Sequence, residues 1–505
     1  MGVRWSTPVF SPVVETASGP VRGREYSLND GRTVDLFLGI PYAEAPTGEK
    51  RFKKPEPVSV WSEVLDCIQF GPRCPQIDEY FAQYLNIVGK DEENCLTLNV
   101  FAPRWKCDEW VSEITSYLSY LNVRHLKVFR NLCSKDVVVV SINYRLGAFG
   151  FFTTGDDNCK GNMGLWDQTM ALQWVNKNIR RFGGNPENVT LFGQSAGGAS
   201  VDLLSLSPHS RDLFHRVIPM AGCGENDFAV RWKGNESDTE DLLRWMISQS
   251  SSSLEVGISP KKGFKHSQSG NLYFVPNYDG DFFPRPISEL RKEAPHKSVM
   301  TGTTQWEGLF FGVYISVEIS LSSYSYNMNM PHAFFVLVAL AGYHKSTDGM
   351  KKFCKKIFKE CDYGSEAEAV QRDIYEYYMK DVDPKDREKF LERFIYLLGD
   401  YAINVGIFNY VNTMAKYGHE VYFYSFEYCN PDGFGLVRFL LPFRGATHCT
   451  EIRYVLGKGI ISKFHPNQDD HRMIKIMTTY FTNFAKYGAE FWIDVAKRNK
   501  TKARL

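Results

Sequence analysis

The chain has 505 residues, 43% of them apolar and 23% charged, a composition typical of a globular protein with a large core. Its 59 lysines and arginines balance 58 aspartates and glutamates, so no basic surface indicates nucleic-acid binding. The 11 cysteines are too sparse for a disulfide scaffold, and no cysteine–histidine spacing typical of zinc occurs, so we expect no metal and no cofactor.

The N-terminal residues do not predict a secretory signal, because no charged start precedes an apolar stretch. No apolar run reaches the ~18 residues that a membrane span needs. We therefore expect a cytoplasmic protein without a transmembrane segment, with a secretory location as the alternative if the N-terminus is incomplete. Gly2 and Ser6 fit the short pattern for N-myristoylation, which would give only weak membrane association.

The middle of the chain alternates predicted strands and helices. The β-branched run at 136–142 predicts a strand buried on both faces of a parallel sheet. Apolar spacing over 167–181 predicts a helix that ends at Gly183. Residues 188–192 then predict a short strand, and 199–206 predict a second helix. This alternation indicates an α/β fold with a central, mostly parallel twisted sheet.

A glycine-flanked serine lies between that second strand and second helix. Residues 193–197 read Gly-Gln-Ser-Ala-Gly, the G-x-S-x-G order that exposes a serine hydroxyl at a tight turn. The helix that follows directs backbone N–H groups toward developing negative charge. We therefore predict Ser195 as a nucleophile and the Ala196 amide as an oxyanion-hole donor.

A serine nucleophile needs a histidine base and an acid, in the chain order serine, acid, histidine for this turn. Spacing alone does not select the base among the eight histidines that follow Ser195 with enough separation to belong to later elements. They are His266, His296, His332, His344, His419, His448, His465 and His471.

Further segments resemble a known family. Residues 38–43 read Leu-Gly-Ile-Pro-Tyr-Ala, and 93–99 read Glu-Asn-Cys-Leu-Thr-Leu-Asn. Residues 143–147 read Asn-Tyr-Arg-Leu-Gly, and 164–168 read Gly-Leu-Trp-Asp-Gln. Together with the serine turn, these segments resemble the type-B carboxylesterases, the carboxylesterase and cholinesterase family, over nearly the whole chain. The resemblance implies an α/β-hydrolase fold with helical insertions, formed by a single large domain over 1–505.

The resemblance also implies an acid and a base. Residues 302–308, Gly-Thr-Thr-Gln-Trp-Glu-Gly, match the family segment that carries the acid, which makes Glu307 the acid. Residues 445–452, Gly-Ala-Thr-His-Cys-Thr-Glu-Ile, match the segment that carries the base, which makes His448 the base. Ser195, Glu307 and His448 would transfer an acyl group through an acyl-enzyme intermediate.

Three pairs of residues resemble structural features of the family. Arg51 with Glu93, and Arg145 with Asp167, are similar to its buried ion pairs. Cys74 and Cys95 are similar to the cysteines of its first disulfide, and we expect that bond only if the protein is oxidised; in a cytoplasmic protein they would be thiols.

One segment departs from the family. No glycine occurs between Gly89 and Gly147, where the family carries an H-G-G-G-type segment whose amides complete the oxyanion hole. Residues 105–130 stand in its place, and each lost donor costs roughly 10²–10³ in rate. Three explanations stay open: ordinary amides replace the lost donors, turnover has been lost, or the coding sequence lacks an exon.

Position 194 and the loop between Cys74 and Cys95 bear on the substrate. Cholinesterases have a glutamate before the nucleophile and a tryptophan in that loop, whereas this chain has Gln194 and no tryptophan there. We therefore predict a serine ester hydrolase for small, neutral, apolar acyl esters. The alternative is a catalytically impaired hydrolase-fold binding protein.

Overall fold

The structure is a computed structural model, and it describes a defined part of the chain. The described residues are 9–76, 92–105, 111–115, 127–230, 247, 274–310, 347–383, 385–434, 441, 443–457, 464–488 and 490. For 111–115, 127–129, 347 and 361 only the backbone path is described. Gly2, a predicted myristoylation site, lies outside the described residues.

Within the described residues, eleven strands form one sheet. The strands are β1 (Phe10–Glu15), β2 (Pro20–Ser27), β3 (Thr33–Pro41), β4 (Leu65–Asp66), β5 (Thr97–Pro103), β6 (Val111–Thr115), β7 (Val137–Ile142), β8 (Val189–Gln194), β9 (Arg216–Met220), β10 (Ser298–Thr304) and β11 (Glu420–Phe426). Their order is β1-β2-β3-β5-β7-β6-β8-β9-β10-β11, with β4 beside β2. Neighbours from β1 to β7 are antiparallel, and neighbours from β7 to β11 are parallel.

Helices cover the sheet. They are α1 (Lys127–Cys133), α2 (Gly147–Phe151), α3 (Met163–Asn178), α4 (Ala196–Leu206), α5 (Ile287–Glu293), α6 (Thr347–Ile357), α7 (Glu360–Tyr363), α8 (Ala367–Met379), α9 (Arg387–Gly399), α10 (Val405–Lys416), α11 (Ile452–Leu456) and α12 (Gln468–Tyr487). Every residue of β7 is buried, and alternate side chains enter different cores: Val138 and Val140 one, Val137 and Val139 the other. Because successive side chains of a strand point to opposite faces, both faces of the sheet are covered, as predicted for this β-branched run.

The glycine-poor segment supplies a central strand. Strand β6 lies between β7 and β8 and is parallel to both, with Val111 opposite Val137 and Ser112 opposite Val189. The sheet is therefore continuous through its centre, and the energetic cost of a missing strand does not arise. Residues 116–126 lie outside the described residues.

A helical insertion between β10 and β11 has its own apolar core. Helices α6, α8 and α9 bury side chains such as Phe353, Met379 and Phe394 in one cluster. Helices α9 and α10 are joined by a π-helical turn, Asp400–Asn404, into one continuous helix, Arg387–Lys416. Among the described residues, this one helix is long and apolar enough to span a membrane by length and composition. Half of its most apolar window is buried inside the protein.

The ion pairs and the disulfide suggested by the resemblance are present. Arg51 Nη2 lies 2.5 Å from Glu93 Oε1, and Arg145 Nη2 lies 2.6 Å from Asp167 Oδ1. Arg145 and Asp167 are buried, so removal of either partner would leave an unpaired charge at a cost of about 3–5 kcal/mol. Cys74 and Cys95 are joined by a disulfide, the bond that the secretory alternative allows.

Candidate active site

Ser195 occupies a strained turn between β8 and α4. Its φ of 60° lies in the left-handed region that a residue with a Cβ rarely adopts. The turn is held by the Ser195 N–H, which donates to the Met220 carbonyl at 2.8 Å. A Cβ on Gly222 would lie 2.0 Å from the Ser195 carbonyl oxygen, so only glycine permits this close approach. The turn presents Ser195 half-buried at the carboxyl end of the parallel strands, where α/β proteins place their sites.

Glu307 and His448 are brought together, although 141 residues separate them in the chain. His448 Nδ1 lies 2.6 Å from Glu307 Oε2, and both side chains are buried. Glu307 Oε1 accepts the Thr304 backbone N–H at 2.6 Å, which fixes the carboxylate just beyond β10. The Trp306 N–H donates to the Ala446 carbonyl at 2.8 Å, so the two loops are also joined through their backbones. This geometry orients the imidazole with Nδ1 toward the carboxylate.

The serine turn meets the histidine through Gln194. Its amide nitrogen lies 3.3 Å from His448 Nε2, and Ser195 is the next residue. Ala196 is the first residue of α4, and its N–H is one of the four N-terminal amides that lack an intrahelical acceptor. The serine turn, the start of α4 and the Glu307–His448 pair therefore lie together through the Gln194 contact.

Cys449 and Glu451, which follow His448 in the same loop, also lie at the site, although the sequence motif predicted a role only for His448. Glu451 is buried, and burial, followed by the nearby Glu307 charge, raises the pKa of its carboxyl to about 8. The Cys449 thiol donates to Gln194 Oε1 at 2.8 Å. The only signal for them in the sequence is their position one and three residues after the histidine, which does not tell a contact with the base from a structural role.

Aromatic rings border the acid and the base. The half-buried Phe310 ring lies 5.7 Å from the His448 ring, measured between centroids. The Trp306 ring lies 4.5 Å from Tyr396 and 4.7 Å from Phe443. Within the part of the chain that the structure describes, no group of three or more histidine, cysteine or acidic residues could hold a metal ion. The site combines a serine turn, a buried histidine–glutamate pair and aromatic rings.

The continuous parallel sheet, the strained serine turn at its carboxyl edge and the Glu307–His448 pair define the class of α/β-hydrolase-fold proteins. A family model described as the carboxylesterase family matches residues 10–501. The chain belongs to the carboxylesterase family. The fold and the family predicted from the sequence motifs are thereby confirmed, and the chain is a carboxylesterase-type hydrolase in its general class.

Individual relatives cover most of the chain. Esterase cest-33 of Caenorhabditis elegans is 43% identical, over 95% of this chain and 87% of that protein. Acetylcholinesterase of Bungarus fasciatus is 30% identical, over 94% of this chain and 78% of the relative. Neuroligin-3 of Mus musculus is 29% identical, over 96% of this chain and 62% of the relative.

Proposed function

We propose that this protein hydrolyses small, neutral, apolar acyl esters, with Ser195 as nucleophile, His448 as base and Glu307 as acid. The 2.6 Å contact between His448 Nδ1 and Glu307 Oε2, beside the serine turn, carries this proposal. A buried carboxylate at Nδ1 holds the neutral imidazole in the tautomer whose Nε2 accepts a proton. The esterase name of the relative cest-33 supports the same reaction class.

The reaction proceeds in two acyl transfers. His448 Nε2 takes the proton of the Ser195 hydroxyl as its Oγ attacks the ester carbonyl carbon. The C–O bond to the alcohol breaks, and the alcohol leaves with the proton from His448. A water molecule then repeats the sequence on the acyl-enzyme, which releases the acid and restores Ser195.

The oxyanion needs more than one donor. The Ala196 N–H, at the positive end of α4, is one donor. Because β6 is parallel to β8, its carboxyl end lies at the same edge of the sheet as Ser195. We infer that ordinary backbone amides of the segment 105–130, which stands in place of the glycine-rich segment, supply the remaining donors.

The preference for neutral, apolar esters follows from charge and surface. Gln194 places a neutral amide before the nucleophile, and the raised pKa of Glu451 keeps its carboxyl largely protonated at neutral pH. Phe310, and the ring of Trp306 with its neighbours Tyr396 and Phe443, add apolar surface beside Glu307 and His448. Without a carboxylate at position 194, a cationic head group would have mainly these rings to offset its lost hydration, whereas a neutral alkyl chain needs no such compensation.

The test compares purified protein with Ser195→Ala in the hydrolysis of p-nitrophenyl butyrate. Ser205→Ala is the matched control, because Ser205 is a buried serine on the same helix α4 whose hydroxyl donates to a backbone carbonyl. We expect turnover in the wild type and in Ser205→Ala, and its loss in Ser195→Ala. Equal background rates from three folded proteins would refute the proposal and leave the binding-protein alternative.

A further inference from the structure

A chain of contacts, from Cys449 through Gln194 to His448, ends on the nitrogen that must accept the serine proton. The Cys449 Sγ lies 2.8 Å from Gln194 Oε1, and Gln194 Nε2 lies 3.3 Å from His448 Nε2. All three side chains are buried. The Gln194 side-chain oxygen therefore has Cys449 as its partner, and the side-chain nitrogen has His448, both shielded from water.

The donor and acceptor roles in this chain follow from elementary chemistry. His448 Nδ1 faces a carboxylate and carries the ring proton, so Nε2 of the neutral imidazole is an acceptor. The amide NH₂ of Gln194 donates to that lone pair, and its carbonyl accepts the S–H of Cys449. Burial, followed by the charges of Glu451 and Glu307, raises the pKa of the Cys449 thiol, which keeps the S–H in place as a donor.

We propose that Gln194, oriented by the Cys449 thiol, is a positioning residue that holds His448 Nε2 as a proton acceptor in the resting enzyme. This inference rests on the proposed function, because it assigns a role only if His448 is the base. The bond favours the neutral ring, since a protonated Nε2 would direct its own N–H at the amide N–H. At 3.3 Å it is also long enough to yield to the serine proton during the reaction.

The groups that surround the imidazole set the charge that this hydrogen bond opposes. Glu307 faces Nδ1 directly, and the charges of Glu307 and His448 both influence Glu451. Burial, followed by Glu451 and Glu307, raises the pKa of Tyr424 on β11, which keeps its hydroxyl neutral. Among the described residues, the Glu307 carboxylate thus provides the charge that faces the imidazole directly, and a negative charge there favours a protonated histidine. Gln194 acts in the opposite direction.

Substitutions at positions 194 and 449 test the inference through the pH dependence of kcat/KM. Gln194→Glu replaces the donor with an acceptor, and Gln194→Met removes donor and acceptor at similar volume. Cys449→Ala removes the thiol donor, whereas Cys449→Ser keeps a donor on the same Cβ. Cys354→Ala is the control for loss of a buried thiol, because Cys354 lies in the separate helical cluster. Rates of p-nitrophenyl butyrate hydrolysis are read where nitrophenol and nitrophenolate absorb equally.

In the plot of kcat/KM against pH, we expect Gln194→Glu to move the midpoint of the decline at low pH upward by about one pH unit. At pH values below this midpoint, kcat/KM should then be roughly tenfold lower than that of the wild type. Gln194→Met and Cys449→Ala should move the midpoint upward by a smaller amount, about two- to threefold in rate. Cys449→Ser and Cys354→Ala should keep the wild-type midpoint. If Gln194→Glu does not fold, Gln194→Met and Cys449→Ala decide the question.

An unchanged midpoint in both Gln194→Met and Cys449→Ala would overturn the inference, and so would an equal shift in Cys449→Ser and Cys449→Ala. A second measurement separates this failure from failure of the proposed function. Titration of His448 in ¹⁵N-histidine-labelled protein, assigned with His448→Gln, reports the same shifts without turnover. Wild-type turnover no greater than that of Ser195→Ala refutes the esterase, whereas turnover with unmoved midpoints refutes only the positioning role.

Discussion

The buried ion pair beneath the nucleophile helix gives the sharpest stability prediction. Arg291 Nη1 and Nη2 donate to the two carboxylate oxygens of Asp202 at 2.7 and 2.8 Å, and neither side chain is exposed. Asp202 lies on α4, seven residues after the nucleophile, and also accepts the Gly224 N–H at 2.8 Å. The pair thus joins α4 to α5 and to the loop after β9.

Arg291→Met would leave the Asp202 carboxylate buried with only the Gly224 amide as partner. We expect this change to lower the free energy of unfolding by about 3–5 kcal/mol, since one desolvated charge loses its counter-charge. Adding Asp202→Asn removes that charge, so the double variant should recover part of the loss. Urea denaturation of the two single variants and the double variant yields the coupling energy.

An exposed pair with the same bidentate geometry provides the control. Arg22 lies 2.8 and 3.1 Å from the Asp66 carboxylate, with side chains 37% and 44% exposed. Arg22→Met should lose only a small fraction of what Arg291→Met loses, because water screens the surface pair. Equal losses in the two variants, or additive effects of Arg291→Met and Asp202→Asn, would refute the reasoning from burial.

Four further predictions concern the site and the conditions of stability. Glu307→Gln should lower kcat by roughly 10³–10⁴-fold because the imidazole loses its orienting charge, while Glu451→Gln, which keeps the neutral state, should cost less than tenfold in steady-state assays. Burial lowers the pKa of His419 from 6.5 to about 4, so as the pH falls the unfolded chain binds the proton before the folded protein does. The free energy of unfolding should therefore decrease by about 3 kcal/mol between about pH 6.5 and pH 4. Urea denaturation of His419→Gln over the same pH range should lack this decrease. Butyrylcholine should be hydrolysed no faster than a matched neutral ester, and a tenfold preference for the choline ester would contradict the neutral site. In protein from a secretory host, alkylation without prior reduction should leave Cys74 and Cys95 unmodified, whereas alkylation of both residues would show that they are thiols. Reduction of the disulfide should lower the free energy of unfolding by about 3 kcal/mol.

The local patterns predicted the elements near the nucleophile well. The β-branched run became β7, and the predicted helix at 199–206 became α4, which begins earlier, at Ala196. The start of α4 differs from the prediction because the strained turn before it is held by contacts with Met220 and Gly222. These residues lie at the end of β9 and just after it, so the apolar spacing of the helix itself carries no information about them. The single domain and the cytoplasmic location stay predictions.

The sequence by itself determined the class of the protein, because a G-x-S-x-G turn between a buried strand and a helix leaves few other interpretations. Motifs similar to those of the family then selected His448 among eight histidines. Only the tertiary structure decided that Val111–Thr115 replaces a central strand, since a short segment shows its partners only when the sheet is formed. The structure alone also placed Gln194 and Cys449 on the base, because contacts across more than 250 residues depend on how β8 and the histidine loop pack.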